Sequence, residues 1–438
     1  MKTSFINKII IAVAALALFA NSAHALQISD FTLSGSRPER PQKMVSAADG
    51  TFYYQMTDNS KIEKIDYKTG KSLGAVFDSS TARNCSIKSW DGFIMSEDES
   101  KILLYTNVES IYRYSFKAEY YVFEVKRNNM KPLTAKGQVE IATFSPDARM
   151  VGFVYENNIY LKKLDYDTEV AVTTDGKIGE IINGVPDWVY EEEFAFNSAL
   201  TFNADGTMLC WLKFNESKVK EYSLQLYKGM KPEKKEFELY PGYYSYKYPK
   251  AGEDNSKVTA WSYDIKSHKT QQLQVPMDED GYMPRILPTE NPEKILVYTM
   301  NRHQDVLNLY TVNPRSTLSQ LLIKESVAKY VKEEAMEAIR IGKDYILMPS
   351  DRDGYMHLYL YSQNGKLLRK IGDGRYDITK VYGYDEKTGD VYYQAAPLNP
   401  HDRQIMVTRK NGKTVRLTNQ EGWNEAIFSG DCKYFVNT

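Results

Sequence analysis

The sequence predicts an all-β fold: an eight-bladed β-propeller whose last blade is truncated at the C-terminus. Three observations predict it. Short strand-like runs fill almost the whole chain, a turn-and-strand pattern recurs along it, and runs with helical periodicity are scarce. A propeller suits such a chain because one small sheet cannot bury both of its faces, whereas sheets arranged around an axis cover one another.

The strand-like runs are short and rich in aromatic and β-branched residues. Tyrosine alone accounts for 34 of the 438 residues. Gly, Asn, Asp, Pro or Ser bounds each run, as in KILLYTNV, YYVFEV, LCWLKF, KILVYTM and HLYLYS. This composition favours strands that are separated by tight turns.

The repeat consists of a polar turn followed by an apolar strand. It occurs in MSEDESKILLYTN, FSPDARMVGFVY, FNADGTMLCWLKF and FSGDCKYFVNT, among other places. Asp98, Asp147 and Asp205 of the first three turns are 49 and 58 residues apart, and a four-stranded blade takes about 40 to 50 residues. Two stacked β-sandwich domains, the alternative, do not explain one signature shared along the whole chain. The last repeat supplies one turn and one strand before Thr438, so we expect the chain to be a fragment of a longer polypeptide.

The N-terminus resembles a secretory signal peptide. Lys2 and Lys8 precede an apolar run over residues 9–20, and Ala-His-Ala ends at Ala25. The prediction is therefore a signal peptide at 1–25 and a propeller domain at 26–438. The apolar run is shorter than the roughly 20 residues that cross a bilayer, and no later segment resembles a span. We expect an exported bacterial protein, periplasmic or secreted.

Composition argues against several classes of function. The net charge is −1 with no basic stripe, so no nucleic-acid partner is predicted. Cys85, Cys210 and Cys432 lie far apart and are expected to be small buried residues, with one disulfide left open. The five histidines are scattered. No metal site and no cofactor are predicted.

Motifs of known catalytic sites are missing from the sequence. It contains no G-x-S-x-G, P-loop, G-x-G-x-x-G or H-E-x-x-H pattern. SDRDGYMHLY, from Ser350, brings serine, aspartate and histidine together locally. Members of a catalytic triad converge from distant parts of a fold, so we interpret this stretch as a hairpin turn. No catalytic residue is predicted in this chain.

The stretch VPDWVYEEEF, residues 185–194, sets three glutamates among aromatic and apolar residues. Asp187 could cap a short helix there. Adjacent carboxylates lie side by side on a helical turn but on opposite faces of a strand. Two carboxylates in a partly desolvated pocket repel each other unless a cation lies between them, and a protonated amine is a natural cation. The segment therefore predicts a binding site for a free amino group.

Two segments resemble a known family. DWVYEEEF resembles the glutamate motif of dipeptidyl peptidase IV-type serine peptidases, the exopeptidase branch of the prolyl oligopeptidase superfamily. SIYRYSFKAEYYVFEV resembles the segment whose arginine reaches into the active-site cavity of that family. The resemblance implies that Glu192 and Glu193 hold the substrate's N-terminal ammonium and that Glu191 points outward with a structural role. It also implies that Arg113 binds a substrate carbonyl and braces the glutamates.

The resemblance further implies an enzyme that releases X-Pro or X-Ala dipeptides from peptide N-termini. Its serine, aspartate and histidine would lie in a C-terminal α/β-hydrolase domain, which this sequence lacks, and the propeller would limit entry to that domain. The implied partners are peptides with a free N-terminus and the hydrolase domain, with a homodimer left open. The family has an aromatic-plus-arginine element in a later blade. The corresponding region of this sequence has only Tyr330, Val331 and Lys332, which departs from the family pattern. A tripeptidyl variant and a non-catalytic peptide- or protein-binding propeller are the alternatives.

Overall fold

The repeated turn motif explains much of the architecture. In a computed structural model, which describes residues 43–229 and 239–438, the Ser96 hydroxyl donates to Asp98 Oδ1 at 2.7 Å. The same oxygen accepts the Ser100 backbone N–H at 3.0 Å, and the intervening Glu99 is left-handed with φ 58°. These side-chain hydrogen bonds close a turn, and the turn reverses the direction of the chain into the next strand. The turn recurs with a left-handed residue directly after the aspartate, at Ala148 after Asp147, Gly206 after Asp205 and Cys432 after Asp431.

The first sheet is an antiparallel meander of four strands in chain order. Its strands are β1 (Met44–Ser46), β2 (Phe52–Thr57), β3 (Lys61–Asp66) and β4 (Ser72–Asp78).

The next eight strands form two such sets that share one sheet. The first set is β5 (Gly92–Met95), β6 (Lys101–Ser110), β7 (Phe116–Glu124) and β8 (Asn129–Pro132). The second is β9 (Val139–Phe144), β10 (Met150–Tyr155), β11 (Asn158–Lys163) and β12 (Thr168–Ala171). They are joined where Lys117 and Ala118 of β7 pair with Glu140 and Val139 of β9.

The fourth set carries the first helix. Its strands are β13 (Ile181–Asn183), β14 (Leu200–Phe202), β15 (Met208–Asn215), β18 (Lys257–Asp264) and β19 (Thr270–Gln272). Both β13 and β14 pair with β15, at residues 213–215 and 209–211 respectively, so they occupy successive lengths of one edge. Helix α1 (Trp188–Phe194) lies in the connection between them, and a hairpin of β16 (Glu221–Leu226) and β17 (Gly242–Lys247) leaves the sheet between β15 and β18.

Three further four-stranded antiparallel sheets follow. The first consists of β20 (Tyr282–Pro288), β21 (Ile295–Met300), β22 (Val306–Val312) and β23 (Ser319–Ser326). The second consists of β24 (Arg340–Ile341), β25 (Tyr345–Ser350), β26 (His357–Ser362) and β27 (Leu367–Ile371). The third consists of β28 (Ile378–Asp385), β29 (Asp390–Ala395), β30 (Gln404–Thr408) and β31 (Thr414–Arg416). Helix α2 (Glu333–Glu337) precedes β24. Because β25 pairs with β26, SDRDGYMHLY is the predicted hairpin turn.

The last strands, β32 (Ala426–Phe428) and β33 (Phe435–Asn437), pair with each other. The turn between them also contacts the first group of strands: the Gly430 backbone N–H donates to the Ser46 hydroxyl at 2.9 Å, and the ring of Tyr434 stacks on that of Tyr67, which follows β3. The all-β propeller fold is confirmed, and the described residues contain eight groups of strands, of which the last is this pair.

The largest hydrophobic core runs through the third to sixth groups of strands. It includes the fully buried Trp211, Tyr190 and Tyr298. All three cysteines are free thiols, Cys210 and Cys432 buried and Cys85 half-buried. Of the residues described, none belongs to a helix long and apolar enough to cross a membrane. The predicted signal peptide lies outside the described residues.

Candidate functional site

Helix α1 forms where the sequence places a capping aspartate four residues before three consecutive glutamates, which favour helix. Asp187 is extended, with φ −74° and ψ 176°, and its carboxylate accepts the Tyr190 backbone N–H at 2.9 Å. This satisfies one of the free N–H groups at the helix start, as predicted. The helix ends after seven residues because Ala195 takes a left-handed conformation, with φ 53°.

The three glutamates of α1 have three different environments. Glu191 is fully buried, Glu192 is half-buried with 16% of its side chain exposed, and Glu193 is exposed. The expectation that Glu191 points outward is therefore wrong. Successive residues of a helix are rotated by about 100°, and α1 turns Tyr190, Glu191 and Phe194 toward the core.

Arg113 reaches the helix from a different part of the chain. It lies in the turn between β6 and β7, and its Nε donates to Glu192 Oε2 at 2.7 Å. The arginine side chain is 65% exposed. The hydrogen bond and charge of Glu192 raise the pKa of Arg113. Two of the predicted binding residues are thus in direct contact.

Glu193 lies at the edge of an open cavity of about 720 Å³. Trp188, Tyr248, Tyr282 and Arg302 also line it. The ring of Trp188 stacks on that of Tyr248, with centroids 4.1 Å apart. Because Tyr248 follows β17, the helix packs against the base of the β16–β17 hairpin.

Two buried contacts hold α1 against β20. The Tyr190 hydroxyl accepts the backbone N–H of Met283 at 3.1 Å, and Arg285 donates from Nη2 to the Phe194 carbonyl at 2.5 Å. Arg285 is buried, which lowers the pKa of its guanidinium. The sequence analysis did not single out Arg285, since one arginine inside an apolar strand carries no local signal of its partner.

Acidic groups also lie behind the helix. The Ser256 hydroxyl donates to Asp187 Oδ2 at 2.5 Å, and burial raises the pKa of Asp187. Burial, and then the charge of Asp187, raise the pKa of Glu216 to about 7. Burial, and then the charge of Glu191, raise the pKa of Glu140 to about 7 as well. We therefore expect Glu216 and Glu140 to titrate near neutral pH.

The segment in which the sequence departs from the family pattern leads into α2. Tyr330 is 59% exposed, whereas Val331 is buried and its N–H donates to the Gln304 carbonyl. Burial raises the pKa of Glu333, and the charges of Glu334 and Glu193 raise it further. An acidic side chain thus lies near Glu193 here. Within residues 43–229 and 239–438, no cluster of His, Cys, Asp and Glu could hold a metal ion.

Comparisons with known proteins agree with this fold. A family model described as "Dipeptidyl peptidase IV (DPP IV) N-terminal region" matches residues 96–438. The crystal structure of Porphyromonas gingivalis dipeptidyl peptidase 4 is similar, with 39% sequence identity and a TM-score of 0.87 over 91% of this chain and 56% of that one.

Two fungal relatives are named "Probable dipeptidyl-aminopeptidase B". The protein of Emericella nidulans is 32% identical over 368 residues, and that of Sclerotinia sclerotiorum is 31% identical over 378 residues. The alignments cover 77% and 78% of this chain but 40% of each relative, so the chain spans less than half the length of these proteins. The chain belongs to the family of dipeptidyl peptidase IV N-terminal regions.

Proposed function

We propose that this chain is the substrate-gating and N-terminal-amine-binding propeller of an exported serine exopeptidase. The enzyme releases X-Pro and X-Ala dipeptides from peptide N-termini, and its serine, aspartate and histidine lie in a C-terminal α/β-hydrolase domain of the full-length protein. Glu192, Glu193 and Arg113 bind the substrate. Membership of the family supports the class of enzyme.

The bond between Arg113 and Glu192 is the observation that carries the proposal. It joins Arg113 and Glu192, which are 79 residues apart and lie in the two segments that resemble the family. Arg113 makes no other hydrogen bond to the described residues, so the remaining N–H groups of its guanidinium are available to a substrate carbonyl. Glu193 is exposed at the cavity, and its carboxylate, which has no hydrogen-bond or ion-pair partner among the described residues, is available to an ammonium group.

The chemistry of this arrangement is recognition of position. An ammonium group donates three hydrogen bonds, and each charge-assisted bond contributes about 1.5 to 3 kcal/mol. Fixing the amine sets how far the substrate extends toward the hydrolase domain, so the second peptide bond is the one aligned for attack. The propeller thereby contributes to the rate without supplying a catalytic group.

The test uses the full-length protein with Glu192→Gln and Glu193→Gln. The substrates are an Ala-Pro reporter with a free N-terminus and the same reporter acetylated at that end. Loss of one charge-assisted bond predicts a fall in kcat/KM of about 10- to 150-fold on the free substrate and no change on the acetylated one. Glu279→Gln, at an exposed glutamate outside the site, serves as the control. Equal losses on both substrates would overturn the role of the two glutamates.

The class of enzyme is tested separately from the binding residues. The reading frame after Thr438 is expected to encode a G-x-S-x-G segment, and replacing its serine by alanine should abolish dipeptide release. Mass spectrometry of the products distinguishes dipeptides from tripeptides. Peptide binding without release of any product would instead favour the non-catalytic propeller.

A further inference from the structure

Glu191, the buried member of the three glutamates, binds a backbone segment rather than a side chain. Its Oε1 accepts the N–H of Tyr114 at 2.6 Å and the N–H of Ser115 at 2.8 Å. Hydrogen bonds to a carboxylate are roughly twice as strong as those between neutral groups. Glu191 therefore fixes the turn that carries Arg113.

The turn has few other ties to the helix. It is closed on itself by the Ile111 N–H donating to the Ser115 carbonyl at 2.9 Å, and Asn197 Nδ2 donates to the Tyr114 carbonyl at 2.8 Å. Arg113 itself is mostly exposed and reaches the helix through its single bond to Glu192. An exposed ion pair contributes about 0 to 1 kcal/mol, which is too little to fix a long side chain. The position of the guanidinium therefore depends on its backbone.

The environment of Glu191 also argues for a role beyond packing. The side chain is fully buried, and Oε2 has no hydrogen-bond partner among the described residues. Leaving a buried polar atom without a partner costs about 1 to 3 kcal/mol. An apolar residue of similar size would avoid that cost but would leave the two N–H groups of the turn without an acceptor.

We propose that Glu191 is a positioning residue, which holds the turn at residues 111–115 so that Arg113 meets the substrate carbonyl in a fixed orientation. This inference rests on the proposed function of Arg113. It assigns the three consecutive glutamates different tasks: Glu191 binds the protein's own backbone, and Glu192 and Glu193 are left for the substrate. The effect of removing Glu191 on substrate binding then depends on Arg113.

A double-mutant cycle in the full-length protein tests this dependence. Glu191→Gln keeps an acceptor oxygen but loses the charge, so we expect kcat/KM on the free Ala-Pro reporter to fall about 10-fold. We expect Glu191→Ala, which keeps no acceptor, to lose more. In the Arg113→Ala background, Glu191→Gln should cause no further loss. Additive losses would overturn the inference.

The distribution of the loss between KM and kcat separates positioning from folding. Weaker binding of a non-reacting carbonyl raises KM and leaves kcat unchanged, whereas a smaller folded fraction lowers the apparent kcat alone. Hydrogen–deuterium exchange gives a readout without substrate: the amides of Tyr114 and Ser115 should exchange faster in Glu191→Gln, and unchanged exchange would contradict the proposal.

Asn197→Ala provides a second variant in case Glu191→Ala does not fold. It releases the Tyr114 carbonyl from the other side of the turn, and its effect should likewise vanish in the Arg113→Ala background. If Arg113→Ala alone keeps full activity on the free substrate, the role proposed for Arg113 fails. If Arg113→Ala loses activity and the cycle is additive, only the role of Glu191 fails.

Discussion

We expect Glu216 to make the stability of this region sensitive to pH. The residue is 7% exposed, and burial followed by the charge of Asp187 raises its pKa from 4.5 to about 7. An acid with a higher pKa in the folded state holds its proton more tightly there than in the unfolded chain. The stability that this proton contributes is therefore fully present below about pH 4.5 and is lost as the pH rises through 7.

The size of the effect follows from that difference in pKa. Each pKa unit corresponds to about 1.4 kcal/mol, so Glu216 contributes at most about 3 kcal/mol. Glu216→Gln keeps the shape of the protonated acid but does not titrate. For a domain of about 400 residues, 3 kcal/mol corresponds to a change in Tm of about 4 °C. At pH 8 the variant should therefore melt up to about 4 °C above the natural protein, with little difference at pH 4.5.

Scanning calorimetry between pH 4.5 and 8.5 measures this difference for the transition of the propeller. Glu140, whose pKa is also raised to about 7, titrates in both proteins, so its contribution cancels from the comparison. Glu279→Gln, at an exposed glutamate, should follow the natural protein at every pH. If the curves of the natural protein and Glu216→Gln run parallel, burial of the proton on Glu216 is not the cause of the pH dependence.

Two further predictions concern the buried hydroxyl of Tyr190 beside the site and the accessibility of the cysteine thiols. Tyr190→Phe removes the acceptor of the Met283 N–H, and an unsatisfied buried N–H should lower the free energy of unfolding by about 1 to 3 kcal/mol; an unchanged Tm would contradict the importance of this contact. Among the thiols, a cysteine reagent followed by mass spectrometry should label the half-buried Cys85 first and the fully buried Cys210 only after unfolding. Burial raises the pKa of both thiols, and labelling of Cys210 in the native protein would refute the packing described here.

The fold could be predicted from the sequence because its repeat is built from local interactions. In the turn at Asp98, every hydrogen bond that closes the turn joins residues at most five positions apart. The cap at Asp187 is equally local, since its carboxylate binds an N–H three residues on. Patterns of this kind are visible in a single sequence without knowledge of the tertiary structure.

The environments of the three glutamates could not be predicted in the same way. A helix of seven residues has too few turns for periodicity to show which side faces the core. What decides the burial of Glu191 is a pair of backbone N–H groups 76 and 77 residues earlier in the chain. Backbone N–H groups are the same for nearly every residue type, so Tyr114 and Ser115 gave no sign of their partner. Arg113 could be predicted only because its segment, SIYRYSFKAEYYVFEV, resembles a segment of the family.

The segment between Gly184 and Ala199, here called the excursion, carries α1 away from its sheet without interrupting the edge strand. Gly184 and Ala199 lie at the two ends of the excursion, and the Ala199 N–H donates to the Gly184 carbonyl at 2.9 Å. Both also bond to Leu212 of β15, at 3.0 and 2.9 Å, so the edge strand continues across the gap. Gly184 has φ 83°, and a Cβ there would lie 3.0 Å from Ile159, which explains a glycine at this position.

Because the base of the excursion is closed by backbone hydrogen bonds, the residues between Gly184 and Ala199 are not needed to complete the sheet. A rigid scaffold of this kind allows a connection to be shaped by binding rather than by folding. The excursion then needs its own support, which Tyr190 and Phe194 receive from β20 and Glu191 receives from the turn of Arg113. The helix is thus held by residues of the second and fifth groups of strands as well as by its own group. Glu192, which bonds to Arg113, and Glu193, which is exposed, make no hydrogen bond to the described residues of β20, and they are the two members of the run that we propose to bind a ligand.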